Sequence, residues 1–283
     1  MPARDTLLLG AVAYDPKVVT IWEGFRTWLR DHGLDFDFVL YSHYERQVED
    51  LVDGRIHLAW HSPLAWLRTE RLAASVGRRA RALLMRNTDR DLTSVVVVRA
   101  DSPIMELGQL AGRVVGTGAV DSPQATLIPL AMLRDKGISV TVRRFDVGVG
   151  LHGDHIGGER DAARALMTGD VAAACMIDSS HLAFLKEGTL SVDGTRIVAQ
   201  TDPFDHCTMT ALDSGPAEPV ARFVDLLRSM SYADAEVRPL LDLEGLTVWE
   251  TGRTSGYGQL TAAVDRTGFY GPAGEVTAGD YRP

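Results

Sequence analysis

Short apolar runs alternate along this chain with stretches whose apolar residues recur every three or four positions. Leu7 to Ala13 is a small apolar run of strand length. After the turn Tyr14-Asp15-Pro16, Val18, Val19, Trp22, Phe25, Trp28 and Leu29 repeat at helical spacing, and His32-Gly33 ends that helix. Leu34 to Leu40 alternates as a strand. Tyr44 to Asp53 then reads as a helix stopped at Gly54, and Ile56 to Trp60 as a short strand before His61-Ser62-Pro63 and a further helix. This β-α-β-α order predicts a parallel sheet covered by helices.

The same grammar continues. Leu83 to Met85 and Thr93 to Arg99 read as strands, and Leu107 to Gly112 as a short helix. Val114 to Thr117 runs as a strand into a glycine-rich turn, and Ser122-Pro123 opens a helix expected over 125–136 despite Pro129. Ser139 to Phe145 is a strand. Val147 to Gly158 carries five glycines in twelve residues and reads as a flexible loop. A helix over 160–167, a strand over 171–177 and a helix opened by Asp178-Ser179-Ser180 follow. Strands at 197–200 and 207–211 and helices at 217–230 and 233–241 complete the pattern, and the glycine-rich tail from Gly252 reads as loosely structured. A self-contained β-α-β region inserted between two segments of another unit predicts two lobes: residues 1–97 plus 201–283, and residues 98–200.

Four strands end in turns of matching chemistry: Tyr14-Asp15-Pro16, His61-Ser62-Pro63, Asp121-Ser122-Pro123 and Asp178-Ser179-Ser180. In open α/β sheets the ligand crevice lies at the carboxyl ends of the strands, so these turns would meet across a cleft. The helix start near Gln124, Ala125 and Thr126 is expected to present free amides, which favour an anion. Asp15, Asp121 and Asp178 oppose a bare anion unless each is a local cap, so a ligand meeting them needs a cationic or hydroxyl-rich end. Tyr14, Trp60 and Trp66 are aromatic walls or core.

Composition narrows the classes. The chain has 283 residues, 45% hydrophobic and 24% charged, with net charge −9. An acidic surface argues against nucleic acid or an anionic membrane as partner. Two cysteines, Cys175 and Cys207, make neither a disulfide framework nor a structural zinc site. The start of the chain lacks a signal h-region, so as written it reads as cytoplasmic, and as periplasmic or extracellular if a leader has been removed. No cofactor and no resident metal are expected, although His152 and His155, three apart in a glycine-rich loop, are a candidate metal pair.

Three segments carry a family resemblance: Ile56 to Ala65, Val95 to Ile104, and Gly116 to Pro129. In order and spacing they resemble the phosphonate and phosphate solute-binding components of ABC transporters, over roughly residues 6 to 245. The resemblance implies a two-lobed type II periplasmic-binding-protein fold, an α/β architecture with two hinge crossings near 95–99 and 198–203. It also implies a small ligand enclosed on closure and a membrane permease as partner. By the same resemblance His61 stands where the family has a cleft aromatic, and Asp121 to Thr126 where it has a Ser/Thr-rich helix start. Asp205 matches an acid that meets the ligand's amine. The family's Ser-Thr-Ser cradle reads Ser122-Pro123-Gln124 here, and its His-acid pair reads Glu159-Arg160-Asp161.

The expected function is therefore the binding of a small anionic or zwitterionic ligand in an interlobe cleft. The expected contacts are Tyr14, Asp15, His61, Ser62, Asp121, Ser122, Gln124, Ala125, Thr126, Asp178, Ser179, Asp205 and His206. A second reading is an enzyme on the same scaffold, with His61 as an acid–base group and Cys175 as a nucleophile. A ligand-sensing module is a third. The sequence leaves monomer or dimer open.

Overall fold

The computed structural model describes residues 6–146 and 155–281, so His152 and most of the expected loop 147–158 lie outside the described residues. The first lobe opens with β1 (Leu7–Val12), α1 (Lys17–Asp31), β2 (Phe36–Tyr41), α2 (Tyr44–Val52), β3 (Leu58–His61), α3 (Pro63–Ser75) and β4 (Ala80–Arg86). The chain then crosses to β5 (Ser94–Arg99), β6 (Val114–Thr117), α4 (Ile128–Asp135), β7 (Thr141–Arg144), α5 (His155–Thr168), β8 (Ala173–Ile177), α6 (Asp178–Glu187) and β9 (Thr195–Gln200). It returns for β10 (Thr208–Leu212), α7 (Ala217–Ser229), α8 (Arg238–Glu244), β11 (Trp249–Thr251) and α9 (Gly258–Thr267).

The strands form a six-stranded sheet, β11-β4-β10-β3-β1-β2, and a five-stranded sheet, β7-β6-β8-β5-β9. In the first, β1 is parallel to β2 and β3, and β10 is antiparallel to both β3 and β4. The ends of β1, β3 and β4 and the start of β10 therefore share one edge. In the second, β6 is parallel to β7 and β8, and β5 is antiparallel to β8 and β9. That sheet likewise gathers the ends of β6, β8 and β9 and the start of β5 at one edge.

The cores follow from the apolar periodicity. Val18, Ile21, Trp22, Phe25 and Leu29 of α1 pack on the first sheet with Phe223 and Leu227 of α7 and Trp249. In the second sheet helices cover both faces, so the valines of β5 are all buried: Val95 and Val97 face α5, while Val96 and Val98 face Leu110 and Leu133.

Three expectations are corrected. The boundary drawn between 97 and 98 falls inside β5, whose residues from Ser94 to Arg99 pair with β8 and β9, so the first crossing precedes it, in residues 87–93. His155 to Gly158, expected in a loop, are helical in α5. The tail is not loose: Leu260, Ala263 and Val264 line the buried face of α9, which ends at Gly268 in the left-handed region.

Candidate functional site

The two strand-end edges bring polar groups of both lobes together. From the first lobe His61, at the end of β3, is fully buried, and neither ring nitrogen has a hydrogen-bond partner among the described residues. Burial without a compensating acid lowers its pKa to about 3, so the ring is neutral. Arg86, at the end of β4, holds Asp89 in a two-pronged ion pair, Nε to Oδ2 at 2.6 Å and Nη2 to Oδ1 at 2.8 Å. Burial alone would raise the Asp89 carboxyl, but Arg86 outweighs it and, with His206, holds the group at about 2.

Arg86 also reaches the Glu244 carbonyl at 2.8 Å and its Oε1 at 3.4 Å, and lies over the Trp60 ring. Burial pushes the Glu244 carboxyl up to about 7, against the pull of Arg86. Desolvation likewise pushes up the Tyr14 and Tyr44 hydroxyls, with Glu244 and Cys207 respectively as the next contributors, so both remain protonated donors, although Tyr14 as a whole residue is 37% exposed. His206 Nδ1 stands 3.1 Å from Cys207 Sγ.

The second lobe meets this group through Gln124, whose Oε1 lies 3.5 Å from His206 Nε2. Its carbonyl accepts from the Ser94 hydroxyl at 2.5 Å. Glu159, on α5, is fully buried. Its Oε2 accepts the Ile177 amide at 3.2 Å, while Oε1 is buried without a hydrogen-bond partner among the described residues. Burial raises the carboxyl to about 7 despite the nearby Ser180, Ile177 amide and Gln124. Asp121, also buried, lies 3.2 Å from His155 Nε2.

The helix start differs from the expected anion cradle. Pro123–Leu127 form a wide turn in which the Ser122 carbonyl accepts from both Thr126 and Leu127, at 3.2 and 3.0 Å. The Ala125 amide is spent on Ser122 Oγ, at 3.2 Å, and Thr126 Oγ1 on the Ala119 carbonyl, at 2.7 Å. The amides of Ala125 and Thr126 and the Ser122 hydroxyl thus serve the turn itself, and Gln124 carries this element into the cleft through its side chain.

Several other expected contacts serve the backbone. Asp15 is exposed and takes the Lys17 amide at 2.8 Å. Ser62 caps α3 through the Ala65 amide at 3.2 Å, and Ser179 is exposed. Asp178 binds the Thr93 hydroxyl at 2.8 Å, tying α6 to the first crossing. Asp205, expected to meet a ligand amine, is already neutralised: Arg253 reaches its Oδ2 at 2.7 Å and Oδ1 at 2.6 Å. Cys175 packs in the apolar layer with Val96, Val98 and Val115, and burial pushes its thiol up to about 12, which is wrong for a nucleophile. Trp66 is core, stacked on Tyr257, and Trp60 packs edge-on to Trp249.

Asp89, His206 and Cys207 hold donors within 4.8 Å of one another, the spacing of a metal site. Arg86 takes both Asp89 oxygens, however, and burial raises the Cys207 thiol well above its usual value. The trio is a hydrogen-bonded network built around a guanidinium. Arg86, Asp89, Tyr44 and Glu244 escaped the reading of the turns because they come from β4, the crossing and two helices. The one local signal was Arg86 ending an apolar strand.

Two α/β lobes joined by two crossings, with a polar cluster at their facing strand ends, define the type II periplasmic-binding-protein fold. Residues 11–257 match the family described as ABC transporter, phosphonate, periplasmic substrate-binding protein, and the chain belongs to that family. Phosphate-import protein PhnD of Mycolicibacterium smegmatis is 24% identical over 241 residues, which span 84% of this chain and 71% of that protein. PhnD1 from Prochlorococcus marinus, in complex with methylphosphonate, superposes with a TM-score of 0.70 at 13% identity, covering 93% of this chain and 98% of that one. XAC2383 from Xanthomonas citri, bound to ATP, gives 0.69 at 18% identity with the same coverage. Membership makes the chain a substrate-binding component that takes a small-molecule ligand and works with a permease. The family is periplasmic, in agreement with the second of the two locations considered.

Proposed function

We propose that this chain captures a small zwitterion, a phosphonate-type oxyanion joined to an amine, between its lobes and presents it to a permease on the periplasmic side. The lobes divide at 87–93 and 201–207. The oxyanion end is recognised by neutral and cationic donors: the His61 ring, the Tyr14 and Tyr44 hydroxyls, and Arg86. The amine end is recognised by buried carboxyl groups.

The balance of charge carries this reading. Arg86, the cation of the cluster, is already matched by Asp89, and the cluster also holds Glu159 and Glu244 at about 7. A bare dianion would bring two more negative charges beside three buried carboxyls and a guanidinium that is already paired, which is costly away from water. An ammonium beside Glu159 would keep that carboxylate ionised and give its buried Oε1 a partner. The family's phosphonate specificity and the methylphosphonate bound by the Prochlorococcus protein supply the oxyanion half.

The test is calorimetric titration of the intact protein at pH 7.5 with an aminoalkyl phosphonate, methylphosphonate and inorganic phosphate. The expected result is binding of the aminoalkyl phosphonate at least tenfold tighter than the other two, with no turnover. Equal or tighter binding of phosphate or methylphosphonate overturns the reading.

A further inference from the structure

The family match ends at residue 257, and the chain beyond it builds another connection between the lobes. We propose that the segment from Arg253 to Tyr281 is a clasp that governs opening of the cleft: it stays anchored on the first lobe and lets go of the second when the lobes part. The segment begins at the hinge. Arg253 Nη2 donates to Asp91 Oδ1 at 2.7 Å, in the first crossing, and to Asp205 Oδ1 at 2.6 Å, in the second. The crossings are also paired directly, Leu92 with Phe204. Asp91 holds φ at +55°, the one positive φ of a non-glycine residue among those described, so the first crossing is bent at the point Arg253 grips.

The anchorage on the first lobe is dense and buried. Arg68 donates to the Gly274 carbonyl at 3.0 Å, and Arg71 to the Tyr270 carbonyl at 3.0 Å and Asp265 at 2.5 Å. The hydroxyls of Tyr270 and Tyr281 both donate to Glu45 Oε1, at 3.2 and 2.6 Å, where Glu45 is 3% exposed. The hold on the second lobe is mainly apolar. Among the described residues it includes a buried apolar seam, Leu260, Ala263 and Val264 in one cluster with Leu127, Ile128 and Ala131, and two solvent-facing ion pairs, Arg266–Asp135 and Arg144–Asp280. Cavities of about 590 and 530 Å³ flank that seam on either side of α4. Parting the lobes would therefore break this seam and the two exposed pairs on the second lobe, and would leave the buried network around Glu45 untouched.

The test uses the ligand-free protein, so it stands apart from the identity of the ligand. Nitroxide labels at Val19→Cys and Val192→Cys, both exposed and one in each lobe, report lobe separation by pulsed dipolar spectroscopy. The native cysteines are buried. Three backgrounds are compared: unaltered, Arg266→Ala with Asp280→Ala, and Leu260→Ala. The clasp predicts a long-distance population that grows about threefold when the two ion pairs are removed, and further with Leu260→Ala. Identical distance distributions in the unaltered and ion-pair backgrounds, both folded by circular dichroism, overturn it. The ion-pair variant decides the matter if Leu260→Ala fails to fold, because its side chains are 45% and 63% exposed.

Discussion

Removing the Arg253 guanidinium should leave a carboxylate stranded in the interior. Asp205 has a side chain with 0% exposure, and Arg253 supplies two of its hydrogen bonds. Among the described residues the Asp91 amide, at 3.2 Å, gives the other hydrogen bond to that carboxylate. Breaking a buried ion pair from one side costs about 3–5 kcal/mol. Arg253 is 34% exposed, so water enters the vacated place and the expected cost of Arg253→Ala falls to about 2–3 kcal/mol. Asp205→Asn keeps Arg253 in contact with Asp91 and should cost about 1–2 kcal/mol. Unfolding entropy scales at about 2.1 cal/mol/K per residue, so Arg253→Ala should lower the melting temperature by about 3–5 °C. The assay is urea unfolding of both single variants and the double variant. The pair predicts a double variant less destabilised than the sum of the singles, with a coupling of about 1–2 kcal/mol. Strict additivity, or an Arg253→Ala variant within 0.5 kcal/mol of the parent, would refute the claim that the tail neutralises Asp205.

Further predictions concern the buried titratable groups. Glu159 sits at about 7 against an ordinary value near 4.5, so the folded state holds its proton more tightly than the unfolded chain. Its stabilising share is full below about 4.5 and is lost as pH rises through 7. Glu159→Gln should therefore raise the melting temperature relative to the parent at pH 8, and the gain should shrink toward pH 5; a gain that is constant with pH would contradict the assignment. His61, lowered to about 3, contributes stability that is present above pH 6.5 and lost as pH falls toward 3. His61→Phe removes two unpartnered buried nitrogens and should leave the melting temperature at pH 7 unchanged or higher while weakening ligand binding at least tenfold; retained affinity would exclude His61 from the site. Both thiols should resist a disulfide reagent in the folded protein and react fully in urea, since both are buried and held protonated. Rapid reaction of either in native buffer would contradict that placement.

The fold was legible because its signals are local. Apolar runs ending in Tyr14, His61, Asp121 and Asp178 marked the strand ends, and helices between them marked a parallel sheet. The site was half legible. His61, Asp121 and Gln124 lie on or beside those turns, whereas His206 lies in the second crossing and was named for its chemistry alone. Arg86 and Glu244 meet across 158 residues, and Asp205 and Arg253 across 48, so no spacing rule joins them. The tail misled for a different reason. Its glycines suggested loose chain, yet Tyr257, Leu260, Ala263 and Val264 recur at helical spacing before Gly268. The helix start at Ser122 was recognised and its chemistry was not, because a proline at 123 and a hydroxyl bonded inward turn an anion cradle into a self-satisfied turn.

The central claim is that buried carboxyls make this cleft select an amine-bearing ligand. It is tested most directly by titrating the parent and Glu159→Gln with an aminoalkyl phosphonate and with the corresponding alkyl phosphonate lacking the amine, at pH 7.5. The parent should prefer the amine-bearing compound by at least tenfold, and the variant should lose most of that preference. Equal affinity for the two compounds in the parent, or a preference that survives intact in Glu159→Gln, would contradict it.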